Sequence, residues 1–181
     1  MRIRRLYFLL ALFLFLALDG RAQLKSTVVG SPHYCQDDVG QIEVRYEVRN
    51  AFTNNSMNSL VVKLGLSRVL AFYLFSGQDH IDASSAVYRS NQDSVGPLPF
   101  KTKRLKPEES VEWNTVAIIM IDGQGPLRRL PKPGDYFLLP FPDIQVEGHY
   151  GPVGESFDRS RLLPITIANP GFNPPPCVRP K

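Results

Sequence analysis

The sequence has little of what most enzymes and nucleic-acid-binding proteins depend on. It contains two cysteines, one tryptophan and three histidines among 181 residues. It has neither a Gly-x-Ser-x-Gly nucleophile elbow nor a glycine-rich phosphate-binding loop, so it offers no support for the hydrolases and nucleotide-binding folds built around them. A sustained basic stripe is also absent, and the densest group of cations, 101–106, is typical of a solvated loop.

The first 22 residues have the three parts of a secretory signal peptide. A basic start is followed by a run without charge from Leu6 to Leu18, and Gly20 and Ala22 supply small residues at the spacing of a cleavage site. The run is shorter than the roughly twenty residues that span a bilayer as a helix. We therefore expect residues 1–22 to be removed, no stable membrane span to remain, and the product to be secreted or periplasmic.

The positive charge of the chain is concentrated in this first segment. Residues 1–22 carry four arginines and one aspartate, net +3, which leaves +1 for residues 23–181 out of the whole chain's +4. A nearly neutral domain has no broad basic field, so we expect no nucleic-acid partner. We expect a single domain over residues 23–168, large enough to fold alone, followed by a proline-rich tail over residues 169–181.

The two cysteines, Cys35 and Cys177, lie near the two ends of this domain. In an oxidising compartment such a pair usually forms a disulfide, which we expect here. Two free thiols are the alternative. A metal site using His33 and Cys35 is disfavoured because no second ligand pair stands at metal-binding spacing.

Alternating apolar and polar residues predict a β-rich domain. Between Ile42 and Arg49 the alternation is regular, which indicates a strand with one buried face. A helix over 57–75 is the alternative for the next apolar stretch, but Gly65 and the β-branched and aromatic content disfavour it. We expect an all-β fold, an antiparallel β-sandwich of about seven to nine strands. Further strand patterns occur at 60–66, 69–75, 86–89, 111–121, 136–139 and 163–168.

Two turn segments carry a resemblance to a known class of domain. They are Leu-x-Pro-Glu-Glu-Ser at 105–110 and Leu-x-x-Pro-Gly-Asp-Tyr at 130–136. They resemble the strand junctions of immunoglobulin-like domains in exported bacterial proteins, which implies a sandwich that is immunoglobulin-like in the loose sense over residues 40–140. Glu108 stands where glycine is commoner in such turns. The Cys-Trp-Cys spacing of antibody domains is absent.

Histidines supply the first candidate binding residues. His80 lies between Asp79 and Asp82, where an imidazole beside carboxylates could act as a base or hold a metal. His149 and Tyr150 lie in a glycine-rich stretch and could contact a ligand. Polar loop residues without a role are the alternative in both places.

A pair of carboxylates is the remaining chemical candidate. Glu155 and Asp158 could serve glycoside hydrolysis if the fold places them across a sugar-binding cleft. We assign no catalytic residue, metal or cofactor, and we expect Trp113 to be a core residue. Asn54 begins an Asn-x-Ser glycosylation acceptor pattern, which matters only in a host that glycosylates.

The expected function is that of an exported, non-catalytic accessory or interaction domain. Its partner would be a protein or a component of the cell envelope, and loops at 76–100 and 140–160 would form the contact surface. The alternatives are a protease inhibitor that presents a rigid proline-rich loop, a structural subunit of an envelope assembly, and a small secreted hydrolase. Because sandwich folds host many functions, this expectation is based on analogy and on missing motifs.

Overall fold

A computed structural model describes residues 22–90, 100–122, 131–147, 157–169 and 174–178. These residues form ten strands and one turn of 3-10 helix at Arg159–Arg161. No helix within them is long and apolar enough to cross a membrane. The strands are β1 (Gln23–Gln36), β2 (Ile42–Thr53), β3 (Leu60–Gly65), β4 (Ala71–Phe75), β5 (Tyr88–Arg89), β6 (Phe100–Leu105), β7 (Ser110–Asp122), β8 (Gly134–Phe141), β9 (Ile144–Val146) and β10 (Leu163–Ile167).

The strands form two layers, which confirms the predicted all-β, antiparallel sandwich. One layer is a sheet of three long strands in the order β1-β2-β7. The other layer consists of two smaller sheets, β10-β8-β4-β5 and β6-β3-β9. All paired strands in these sheets run antiparallel.

Each small sheet covers one end of the long sheet and buries its own hydrophobic cluster. Because alternate residues of β2 face the core, the same long strand serves both clusters. The first cluster comprises Val44, Tyr46, Val48, Leu70, Phe72, Leu74, Ala117, Ile119, Leu138, Ile165 and Ile167. The second comprises Phe52, Val62, Leu64, Leu105, Ile144 and Val146.

The predicted strands are confirmed, and the helix over 57–75 is wrong because β3 and β4 occupy that range. Three strands were not predicted from the sequence. The cation-rich range 101–106, expected as a solvated loop, forms most of β6, because this segment pairs with β3. In β1 the alternation is broken by a register irregularity between Val29 and His33. In the range 140–160, expected as loop, the short strand β9 exists because it pairs with β3. The total of ten strands in the described part therefore exceeds the expected seven to nine.

The predicted disulfide between Cys35 and Cys177 is present and joins the end of β1 to the proline-rich tail. Backbone bonds support the link: the Gln36 N–H donates to the Pro175 carbonyl over 2.9 Å, and the Cys177 N–H donates to the Gln36 carbonyl over 2.8 Å. The described part of the tail, 174–178, is therefore held against the long sheet.

Candidate functional site

The outer face of the long sheet carries a pocket of about 370 Å³. Val44, Tyr46 and Val48 point into the core, so the intervening residues of β2 point to the opposite face. Cavities of a few hundred Å³ are the size that small ligands and anchoring side chains occupy. The pocket is lined by Val29, Gly30, Ser31, His33, Arg45, Glu47, Arg68, Val69, Val116, Ile118 and Val178.

Three local features make this face concave. At one side, the irregularity in β1 places the three residues 30–32 opposite the single residue Tyr46, and Gly30 adopts a positive φ of 72° there. At the other side the chain before β4 runs beside β7, with the Leu70 N–H donating to the Val116 carbonyl over 2.9 Å. The disulfide-linked tail closes a third side with Val178.

The floor of the pocket is apolar, and the Arg45 side chain in its lining is held in place by contacts within the protein. The Arg45 guanidinium contacts the Glu43 carboxylate at 2.7 Å and donates to the Val178 carbonyl over 2.7 Å. Arg45 therefore holds the tail in place and has its charge balanced. Glu47 and Arg68 are exposed and form no ion pair with another described residue. The pocket thus offers apolar surface flanked by one available anion and one available cation.

The pocket contains a histidine and a serine, but the described contacts do not connect them as a catalytic pair. His33 lies opposite Arg45 in the strand register, beside a cation rather than a carboxylate. No hydrogen bond joins His33 to Ser31 within the described ranges. A serine nucleophile is activated by a hydrogen-bonded base, and the described contacts do not supply one to Ser31.

In the described part of the chain, one group of three side chains has potential metal-ligand atoms within 4.8 Å of one another. These side chains are Cys35, Glu43 and Cys177. The two sulfurs are bonded to each other. Metal-binding cysteines act as thiolates, so the oxidised cluster has lost its two sulfur ligands. The Glu43 carboxylate lies 3.4 Å from the Cys177 Sγ and is neutralised by Arg45.

His80 is exposed in the loop between β4 and β5. Its neighbour Asp82 accepts hydrogen bonds from the Ser84 hydroxyl at 2.6 Å and from the Ser84 and Ser85 N–H groups at 2.8 Å. The Ser84 hydroxyl bond is the main cause of the lowered pKa of Asp82. The Asp82 carboxylate therefore stabilises its own turn. Among the described residues, His80 and Asp82 do not belong to any group of three side chains close enough to bind one metal ion.

Asp158 has a structural role in the described part of its loop. It accepts a hydrogen bond of 2.9 Å from the Ser160 N–H at the start of the 3-10 turn, which lowers the pKa of Asp158. A lowered pKa suits an ionised cap rather than a general acid. The other three candidates from this loop, His149, Tyr150 and Glu155, lie outside the described residues.

The end of this loop is attached to the outer face of the four-stranded sheet. The Phe157 ring packs against Tyr73, Phe75 and Phe141, with centroids 5.3, 6.4 and 5.8 Å away. Nearby, Arg159 donates a hydrogen bond to the carbonyl of Asp79. The two loops expected to form a contact surface therefore touch at this point.

The glycosylation pattern falls on a buried side chain. Asn54 is fully buried, and its amide nitrogen donates to the carbonyls of Asn58 and Leu105 over 2.8 and 3.1 Å. The folded protein therefore hides the atom to which a glycan would attach. Trp113, predicted to be a core residue, is half-buried and packs against the second cluster at the margin of the core.

Sequence analysis missed this pocket as a binding site. The alternating charges of β2 indicated a solvated face, and nothing in that pattern shows that β1, the chain before β4 and the tail surround it. Two residues could have indicated the irregularity beside the pocket. Gly30 and Pro32 interrupt an otherwise β-rich stretch, and such residues within a strand are typical of a bulge.

No protein-family model and no curated protein matches the sequence. Among solved structures, the chain is similar to an X-ray structure described as Northeast Structural Genomics Consortium target SoR45. The two share 15% sequence identity, and the match covers 84% of this chain and 88% of that one. The TM-score is 0.33, which is too low for the likeness to carry an argument about function.

Proposed function

We propose that this protein is an exported, non-catalytic interaction domain that binds a protein or an envelope component at the pocket on its long sheet. The observation that carries the proposal is that the tail held by Cys35–Cys177 supplies one wall of the pocket. A disulfide persists in an oxidising compartment. The same bond therefore relates the binding site to the expected destination of the chain.

The chemistry of the pocket supports recognition of a mixed apolar and polar surface. Val116 and Ile118 are half-buried on its floor, and Glu47 and Arg68 are available at its sides. Apolar anchors with a few polar groups at the margin are the usual composition of a recognition site. His33 adds a group that can donate or accept a hydrogen bond.

Export is tested by expressing the full chain with its own first segment. We expect the mature protein outside the cytoplasm, with a mass that corresponds to cleavage after Ala22 and with no alkylatable thiol before reduction. Uncleaved protein with two free thiols in the cytoplasm would contradict the proposed destination.

Binding is tested by affinity purification of the tagged chain from the organism that encodes it. Ile118→Glu places a carboxylate on the pocket floor, and Asn114→Glu places one on an exposed position of the same strand and face, outside the pocket. We expect the co-purifying partner to be lost with Ile118→Glu and kept with Asn114→Glu, at equal folding. Unchanged capture by both variants would show that the contact surface lies elsewhere.

A further inference from the structure

Among the described residues, the long sheet ends in β1, whose outer edge is unpaired along residues 23–29. β1 has fourteen residues and pairs with β2 on one side. On its other side, within the described ranges, the backbone of the tail hydrogen-bonds only to Gln36, next to the disulfide at Cys35. In residues 23–29 the N–H and C=O groups of alternate residues point away from β2 and have no backbone partner among the described residues, and an edge of this kind is a template for pairing with another strand.

Four of the other five described edges carry features that discourage pairing. The fifth is β7, the opposite edge of the long sheet, and the chain before β4 already bonds to it: the Leu70 N–H donates to the Val116 carbonyl over 2.9 Å, and the Val116 N–H donates to the Arg68 carbonyl over 2.6 Å. β6 has Lys101, Lys103 and Arg104 among six residues, and β10 contains Pro164. β5 and β9 have two and three residues. Cations, proline and short length are the usual protections of sheet edges.

β1 lacks this protection over residues 23–29. Its single charged side chain in this range is Lys25. Thr27 is exposed, whereas Leu24 and Val28 are partly buried against the two hydrophobic clusters. The strand therefore has an uncharged inner face that continues the core to the edge of the sheet.

We propose that two copies of this chain pair antiparallel through residues 23–29 of β1, about a two-fold axis at Ser26. This register places Leu24 of one copy opposite Val28 of the other, so apolar residues continue across the contact. Lys25 of one copy faces Thr27 of the other, so no like charges are directly opposite, and the two Lys25 side chains are diagonal neighbours across the axis. A two-fold contact is self-complementary, which is why a second copy fits this edge.

The contact is short, so the dimer forms in a concentration-dependent way. Seven residues per strand bury less surface than a standard stable interface of about 1,200–2,000 Å². We expect sedimentation analysis of residues 23–181 to show a monomer at low concentration and a dimer as the concentration rises. A monomer throughout a range up to about one millimolar would overturn the proposal. That result would favour a strand of a different protein as the partner of the β1 edge.

Charge changes at Thr27 test the register. Thr27→Lys places two Lys–Lys pairs across the contact, and Thr27→Glu places two Glu–Lys pairs there. Facing charges in a sheet change the pairing energy modestly, so we expect the dissociation constant to rise roughly three- to thirty-fold with the first variant and to fall with the second. The double variant Lys25→Glu with Thr27→Lys should restore the dimer.

Asn114→Lys serves as the control, because Asn114 lies on an exposed part of β7, remote from β1 in the sheet order. It should leave the dissociation constant unchanged. A dimer that is insensitive to both Thr27 changes, or weakened by both, would contradict the pairing that we propose.

Discussion

The amide of Asn50 donates a hydrogen bond of 3.0 Å to the hydroxyl of Thr115, and both side chains are buried in the long sheet. On the other side, the Ser26 hydroxyl donates to the Asn50 side-chain oxygen over 2.8 Å. These three residues join β1, β2 and β7 between the two hydrophobic clusters. A buried amide requires such partners, because leaving it unpaired costs free energy.

Thr115→Val should therefore destabilise the protein although it keeps the shape of the side chain. The substitution leaves the Asn50 nitrogen with a long contact of 3.5 Å to the Val48 carbonyl. We expect the free energy of unfolding to fall by about 1–3 kcal/mol, as measured by urea denaturation. Thr53→Val is the matched control, because the Thr53 hydroxyl bonds to Ser110 at the exposed end of the sheet. Equal losses from both variants would contradict the role of the buried bond.

Asn54→Ala should also destabilise the fold, because this buried side chain connects three parts of the chain. Its nitrogen bonds two carbonyls, and its oxygen accepts from the Ser56 N–H and hydroxyl at 3.0 and 2.7 Å. We expect a loss of about 1–3 kcal/mol in thermal or urea denaturation. Asn55→Ala, at the exposed neighbouring position, should change stability by less than about 0.5 kcal/mol.

The strands that could be predicted from the sequence are those in which one face is buried along the whole element. In β2 the core-facing residues alternate without interruption, so the pattern alone indicates the strand. In β1 residues 30–32 stand opposite the single residue Tyr46, so the alternation is interrupted there, although Val28 before the irregularity and Tyr34 after it both face the core. The three residues of β9 carry too short a pattern, and only pairing with β3 defines them.

The candidate site was less predictable than the fold for a different reason. Its walls come from β1, from Arg68 and Val69, and from the tail at Val178, which are far apart in sequence. Their proximity depends on strand order and on the disulfide, and local patterns contain neither. His80 and Asp158 were predicted from local clusters of polar residues, and such clusters commonly organise their own turns.

The departure from the common turn pattern at Glu108 has a measurable consequence. Glu108 adopts a φ of 64° in a turn in which the Glu109 N–H donates to the Lys106 carbonyl over 3.1 Å. With Pro107 before it, this is the position where a type II turn favours glycine. We expect Glu108→Gly to raise the free energy of unfolding by about 0.5–1 kcal/mol, since relief of strain exceeds the added entropy of the unfolded chain.

Glu108→Ala separates the backbone effect from the charge. Alanine removes the carboxylate but retains the Cβ, so it should leave stability nearly unchanged in the same urea measurement. If Glu108→Gly and Glu108→Ala raise the free energy of unfolding equally, the carboxylate rather than the positive φ destabilises the wild-type turn.

Asp143 gives the fold a specific pH dependence where the two small sheets meet. Its carbonyl accepts a hydrogen bond of 2.8 Å from the Gly65 N–H, and a Cβ added to Gly65 would lie 2.7 Å from the Asp143 Cβ. This close approach half-buries the side chain, and burial raises the pKa of Asp143 above its ordinary value of 3.8. The folded state therefore holds the proton more tightly than the unfolded chain does.

The sign of the effect follows from this difference. Between the unfolded and the raised folded pKa of Asp143, the unfolded chain has lost its proton while the folded one retains it, so this carboxyl lowers stability as pH rises. Above the folded pKa the penalty is complete. Asp143→Asn cannot ionise, so its stability relative to the wild type should increase as the pH rises through the unfolded pKa of the carboxyl and level off above the folded pKa, in a series of urea denaturations at different pH values.

Asp82→Asn provides a control of opposite sign. The hydrogen bonds from Ser84 and Ser85 lower the pKa of Asp82, so its contribution is present above the unfolded pKa and is lost as pH falls through the folded one. Relative to the wild type, this variant should therefore lose stability as pH rises. If Asp143→Asn instead follows the same course as Asp82→Asn, the Asp143 carboxylate is stabilised in the fold, and the burial of its charge does not set the pH dependence.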